Sequence, residues 1–181
     1  MIDKKSIFKF QIFSAIFASF AGTLLHFTYD WSNNNFIVGA FSAVNESTWE
    51  HLKLLFFPVL ITTIIGYFYM GKEQPNLLCA KLAAIISGIL FIIIFFYTYR
   101  GVIGTNIDFL NILSFFIAVI LGECVTYKRL FSEKSCNKIL AVTILALFFI
   151  CFVIFTYITP RIGLFKDPVT NEYGIHENVL Q

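Results

Sequence analysis

The sequence predicts an all-α integral membrane bundle of five transmembrane helices, with the N-terminus inside and the C-terminus outside. Three observations predict it. The chain of 181 residues is 58% hydrophobic and only 13% charged, whereas a soluble domain is about a quarter charged. Five apolar runs of about 20 residues follow one another, each long enough to cross a ~30 Å hydrocarbon core at ~1.5 Å per residue. Lysine and arginine collect in alternate links between those runs, as they do on the cytoplasmic side of membrane proteins.

The first span is expected over about residues 8–29, behind Lys4, Lys5 and Lys9. A cleaved signal peptide ending near Ser19-Phe20-Ala21 competes with it, but apolar character runs on past that point. Ser14, Ala18 and Gly22 recur every fourth residue, a spacing that lets helices approach closely. The same spacing continues through His26 and Asp30, so the packing face ends in two ionisable groups. Residues 31–44 are too short and interrupted to span, and read as a loop or a shallow interfacial segment. Ser47-Thr48-Trp49-Glu50 fits a helix-starting capping box, which opens a second span over about 48–70. Pro58 lies inside that span and should kink it. After a polar turn, the third span covers about 77–99, with Ala80, Ala84 and Gly88 as a second small stripe. The link Arg100 to Asn106 leads to the fourth span, about 107–129, with Ser114, Ala118 and Gly122 as a third. The fifth covers about 138–159 and stops at Pro160, before a polar outer tail over 160–181. The whole chain, 1–181, thus reads as a single transmembrane domain.

With the N-terminus inside, Lys4, Lys5, Lys9, Lys72, Lys81, Lys128, Arg129, Lys134 and Lys138 face the cytoplasm, and Lys53, Arg100, Arg161 and Lys166 face out, nine against four. This orientation gathers His26, Asp30, Glu46, Glu50, His51, Arg100, Asp108 and Asn111 at the outer helix ends and loops. His176, in the tail, lies on the same side. Ionisable groups within a span are costly and usually face the bundle interior or water, so these residues are expected to line one outward-opening pocket, with Trp49 at its interface.

Two chemistries suit such a pocket. His26, His51 and Glu46, with Asp30 or Glu50, offer N and O ligands for zinc or another first-row divalent ion, and a spare carboxylate would serve a metal-bound water as base. No HExxH pattern is present, and apart from that divalent metal no cofactor is evident. A structural reading explains part of the set equally well: Ser47 and Glu50 cap a helix, Glu50 pairs with Lys53, and Trp49 anchors at the interface. Arg100, with Tyr97 and Tyr99, reads as another anchor, or as a partner for Asp108. Glu123 reads as a neutral or hydrogen-bonded carboxyl near the inner interface, or as part of a proton or cation relay for which no obvious partner lies within the spans. Cys79, Cys124, Cys136 and Cys151 form no CxxC pair and read as single thiols. Asn45-Glu46-Ser47 matches a glycosylation sequon, but its place at a helix cap argues against modification. No basic patch suggests nucleic acid. The partners expected are the lipid bilayer and, as a second reading, another membrane protein.

Val44-Asn45-Glu46-Ser47-Thr48-Trp49-Glu50-His51-Leu52-Lys53 resembles the signature of a family of small, uncharacterised bacterial multi-pass integral membrane proteins, a domain of unknown function. Gly163-Leu164-Phe165-Lys166-Asp167-Pro168-Val169-Thr170-Asn171-Glu172-Tyr173-Gly174-Ile175 resembles its closing motif, in which glycine more often stands at position 171. The resemblance covers essentially the whole chain. It implies a multi-pass protein of the bacterial cytoplasmic membrane and no assigned activity. Three function classes remain: an outward-facing binding, transport-accessory or sensing component; a membrane-embedded metal-dependent hydrolase; and a structural partner of another membrane protein.

Overall fold

The computed structural model describes residues 3–133 and 135–175. In order, the chain forms α1 (Lys4–Trp31), α2 (Phe36–Gly39), α3 (Thr48–Met70), α4 (Leu77–Ile103), α5 (Asp108–Leu130) and α6 (Lys138–Tyr157), then a 3-10 turn at Gly163–Phe165. All of these except α2 and the turn, five helices in all, are long and apolar enough to cross a membrane. Among the described residues the only β-type pairing is an isolated bridge between Lys166 and Tyr173.

Helix starts follow from local side-chain chemistry. Asp3 accepts the Ser6 N–H at 2.8 Å, Asn35 the Ile37 N–H at 2.9 Å, and Asn137 the Leu140 N–H at 3.0 Å. Ser47 accepts the Glu50 N–H at 3.4 Å, the capping bond that its sequence context predicts. Asn33 and Asn34, with φ of 56° and 57°, turn the chain out of α1, asparagine being among the few side chains that tolerate that region. The first helix begins at Lys4 rather than near Phe8. The third span also continues beyond Arg100 to Ile103, so the expected link there shrinks. It ends where Gly104, at φ 85°, adopts the left-handed conformation that favours glycine.

The three small stripes are the packing seams. Ser14, Ala18 and Gly22 of α1, Ala80, Ala84 and Gly88 of α4, and Ser114, Ala118 and Gly122 of α5 are all buried. A methyl added to Gly122 would lie 3.4 Å from the Ala84 carbonyl, and one added to Gly88 would lie 3.5 Å from that of Ala118, so α4 and α5 interlock through these seams. Gly22 answers a different need. Pro58 has no N–H to give the Leu54 carbonyl, and Gly22 packs directly against that oxygen. A methyl on Gly22 would sit 2.5 Å from it and 2.5 Å from Cζ of Phe115. One proline on α3 and one glycine on α1 thus set how closely those helices meet.

Helix α6 rests against α3 through aromatic contacts, Phe152 lying 4.9 Å from Phe56 and 4.6 Å from Trp49 between ring centroids. Trp49 is therefore not a free interfacial anchor. It is wedged among Phe152, Phe155 and, from the tail, Phe165 at 4.7 Å. Elsewhere the outward surface is apolar, with Phe20, Phe68, Leu90, Ile94 and Ile139 exposed where lipid would lie.

Two buried ion pairs correct the sequence reading. Lys53, expected at the outer surface, is fully buried. Its Nζ lies 2.5 Å from Glu50 Oε2 and donates to the carbonyl of Gly39 and to Thr156 Oγ1. The Val44 N–H donates to the same Glu50 carboxylate at 3.1 Å. Glu123, for which the sequence offered no obvious partner within the spans, pairs with Lys81, which had been assigned to the cytoplasmic surface. Lys81 Nζ lies 2.8 and 2.9 Å from the two carboxylate oxygens, and Ser14 Oγ donates to the nearer one at 2.6 Å. Neither pair is a surface feature, because each hydroxyl and carbonyl around it replaces a lost water. The cysteines also differ from expectation. Cys79 and Cys136 are joined in a disulfide, which ties the start of α4 to the segment before α6, while Cys124 and Cys151 are free.

Candidate metal centre

The C-terminal end of α1, the loop after α2 and the first turn of α3 meet at one end of the bundle. His26 projects from α1, Glu46 from the loop and His51 from α3. Of the sequence-predicted set, these are the residues that converge: each offers a ligand atom, and the three atoms lie within 4.8 Å of one another. His26 Nε2 is 3.8 Å from Glu46 Oε1, and His51 Nε2 is 3.4 Å from Glu46 Oε2. The imidazole centroids are 5.3 Å apart. Ligands sharing one zinc ion at ~2.0–2.2 Å are themselves about 3.3 Å apart, so closing on an ion asks for about an ångström of side-chain rotation.

The hydrogen bonding around His51 fixes which ring nitrogen faces Glu46. His51 Nδ1 lies 3.0 Å from the Ser47 carbonyl, which can only accept, so Nδ1 carries a proton and donates. A neutral His51 then turns the lone pair of Nε2 toward the Glu46 carboxylate. Two lone-pair groups at 3.4 Å repel unless a cation, a proton or a metal, lies between them. A backbone carbonyl behind a ligating histidine is the usual arrangement that fixes its tautomer.

Glu46 is held by backbone, not chance. Asp167 in the tail accepts the Glu46 N–H at 3.3 Å and the N–H groups of Val169 and Thr170 at 2.7 and 3.2 Å. Burial alone would raise the Asp167 carboxyl, but these three backbone donors outweigh it and hold it below its ordinary value. Asn45 Nδ2 donates to the Gly174 carbonyl at 2.8 Å, and Asn45 Oδ1 accepts the Ser47 N–H at 2.8 Å. The sequon asparagine is thus committed to internal bonds. Asn171 sits at φ 65°, a conformation that explains why glycine suits that position. The two motifs at opposite ends of the sequence form one clasp. Asp167 and Asn45 are positioning residues; the sequence reading placed them in the two family motifs, and Asn45 in a sequon, but gave neither of them this role.

The other candidates lie elsewhere. Asp30 is exposed, one turn beyond His26. Glu50 points inward to Lys53. Arg100 lies over the Phe96 ring at 5.7 Å. Asp108 is exposed and accepts from Asn106 Nδ2 at 3.3 Å. Asn111 is the exception: it accepts from the Tyr99 hydroxyl at 2.5 Å and also lines both cavities beside the triad. His176 lies outside the described residues.

The centre is half-buried, with side-chain exposures of 30% for His26, 27% for His51 and 47% for Glu46. Two cavities flank it. A small one of about 40 Å³ reaches inward from Glu46 and His51 toward Ile92, Phe96 and Ser114. A larger crevice of about 320 Å³ runs from His26 and His51 along Gly22, Leu54, Ile112 and Phe115. Neither Trp49 nor Arg100 lines either one. No curated protein and no solved structure matches the chain. The family model that does match covers residues 2–175, nearly all of the sequence, and the protein belongs to that family, the family of unknown function DUF6512.

Proposed function

We propose that this protein is an outward-facing metal-binding component of the bacterial cytoplasmic membrane, acting in sensing or as a transport accessory. It holds a divalent first-row ion, zinc fitting best, through His26, Glu46 and His51. The observation that carries this reading is the meeting of two imidazoles and a carboxylate from three separate chain segments, with the His51 proton already committed to Ser47. Two nitrogens and one oxygen suit zinc among the divalent ions. The orientation is supported by the charge count once the buried lysines are removed. Among the described residues Lys4, Lys5, Lys9, Lys72, Lys128, Arg129 and Lys138 remain on the N-terminal side against Arg100, Arg161 and Lys166, seven to three. This count supports reading the centre as lying on the outer face.

A hydrolase is the second reading, favoured by the same triad, since three protein ligands leave the fourth zinc position open. Among the described residues the other candidate carboxylates are poorly placed as a base: Glu50 is engaged by Lys53, and Asp30 is exposed beyond the triad. A purely structural partner accounts least well for the two cavities beside the triad. Elemental analysis of purified protein tests the proposal. About one zinc per chain in the wild type, lost in His26→Ala and in His51→Ala, is expected. Wild-type protein without stoichiometric metal after zinc loading would overturn it.

A further inference from the structure

The crevice beside the triad points to what the metal holds. We infer that the open position of the ion takes the carboxylate of a long-chain fatty acid, whose chain lies in the groove between α1 and α5. This rests on the metal reading above and adds a ligand class to it. The crevice begins at His26 and His51 and continues past Gly22, Leu54, Ile112 and Phe116, and beyond the imidazoles Thr23 and Asn111 are the polar side chains in an otherwise apolar lining. Its outer wall is open: Phe27 is 43% exposed, Ile112 59% and Phe116 37%, on a face that in a membrane meets lipid. A small hydrophilic ligand would gain nothing from such walls, whereas an acyl chain buries apolar surface along their whole length.

The polarity of the groove matches a lipid of the outer leaflet. His26 stands toward the mouth, and Gly22 lies one turn deeper along α1. A head group at the ion therefore sits near the interface while the chain points toward the midplane. Gly22 is what keeps the groove floor low, since its missing side chain leaves α1 close against Leu54 and Phe115. Charge agrees as well. A divalent ion with two neutral imidazoles and the Glu46 carboxylate carries one net positive charge, and one carboxylate cancels it. A neutral complex is the form that a low-dielectric site tolerates.

Purified full-length protein in nanodiscs of zwitterionic lipid, loaded with zinc, would be titrated with radiolabelled dodecanoate, with acetate as the short control. Dodecanoate is expected to bind one per chain, and acetate about tenfold or more weaker, because the chain supplies the apolar burial. Metal-free protein and His51→Ala should each lose about tenfold in dodecanoate affinity. Ile112→Trp, which fills the groove away from the triad, should lose a similar factor while keeping its zinc. If zinc fails to bind the wild type, both the metal reading and this one fall. If zinc binds but dodecanoate does not, or binds equally with and without zinc, or is indifferent to Ile112→Trp, only the fatty-acid inference falls.

Discussion

Asp167 accepts the backbone N–H of Glu46 at 3.3 Å, across a sequence separation of 121 residues. This bond, with that of Asn45 to Gly174, makes the tail a support for the one carboxylate of the candidate centre. Asp167→Asn should keep the fold and weaken zinc binding by about tenfold, the scale typical of lost outer-shell support. The pH dependence follows from the lowered carboxyl. Its folded value lies below the ordinary 3.8, so its contribution is complete above that ordinary value and is lost as pH falls through the folded value. The protection factors of amides in the segment 163–175, taken relative to intrinsic exchange at each pH, should therefore fall below about pH 4 in the wild type, and already at neutral pH in Asp167→Asn. Unchanged protection in the variant would show that the tail docks without this carboxylate.

Gly22 and Leu54 set the approach of α1 to α3. Gly22→Ala should lower the melting temperature in detergent, with an overpacking cost of about 1–3 kcal/mol. It should also weaken zinc binding, because His26 rides one turn above on the same helix. A variant as stable as the wild type, with full zinc affinity, would mean that α1 shifts without consequence.

The Lys81–Glu123 pair gives a test by double substitution. Breaking a buried pair from one side leaves an uncompensated charge and costs about 3–5 kcal/mol, whereas removing both partners costs far less. Lys81→Met and Glu123→Leu are each expected to unfold at markedly lower temperature than the double variant. Additive losses would show that the two side chains contribute independently. Gln11, buried nearby on α1 with neither amide atom bonded, makes Gln11→Leu a useful background, expected to be neutral or stabilising.

Cys79–Cys136 bears on orientation. With the N-terminus inside, this pair faces the cytoplasm, where thiol pools would open the disulfide that the structure holds between them. Intact cells treated with a membrane-impermeant maleimide should leave Cys79 and Cys136 unlabelled. Permeabilised cells should label them without added reductant. A pair that stays oxidised in permeabilised cells and resists labelling until reduced would place this end of the bundle outside and reverse the topology.

The sequence by itself determined the five apolar helices, most of their starts, and the three small-residue seams. Each of these is set locally, by hydropathy over a run of residues, by a capping side chain, or by a repeat of four along one helix face. It also brought His26, Glu46 and His51 into one candidate set, because the expected topology puts all three at helix ends or loops on one side. What only the tertiary structure decided was which polar group meets which. Glu46 and Glu50 lie one turn apart with similar chemistry. Helix packing sends Glu50 inward to Lys53 and leaves Glu46, on the loop, facing the imidazoles. Lys81 finds Glu123 at a separation of 42 residues, and the tail finds Glu46 at 121. Periodicity along one helix says which face is buried but not which neighbour covers it. In an apolar chain with few charges, that choice of neighbour is where the chemistry is settled.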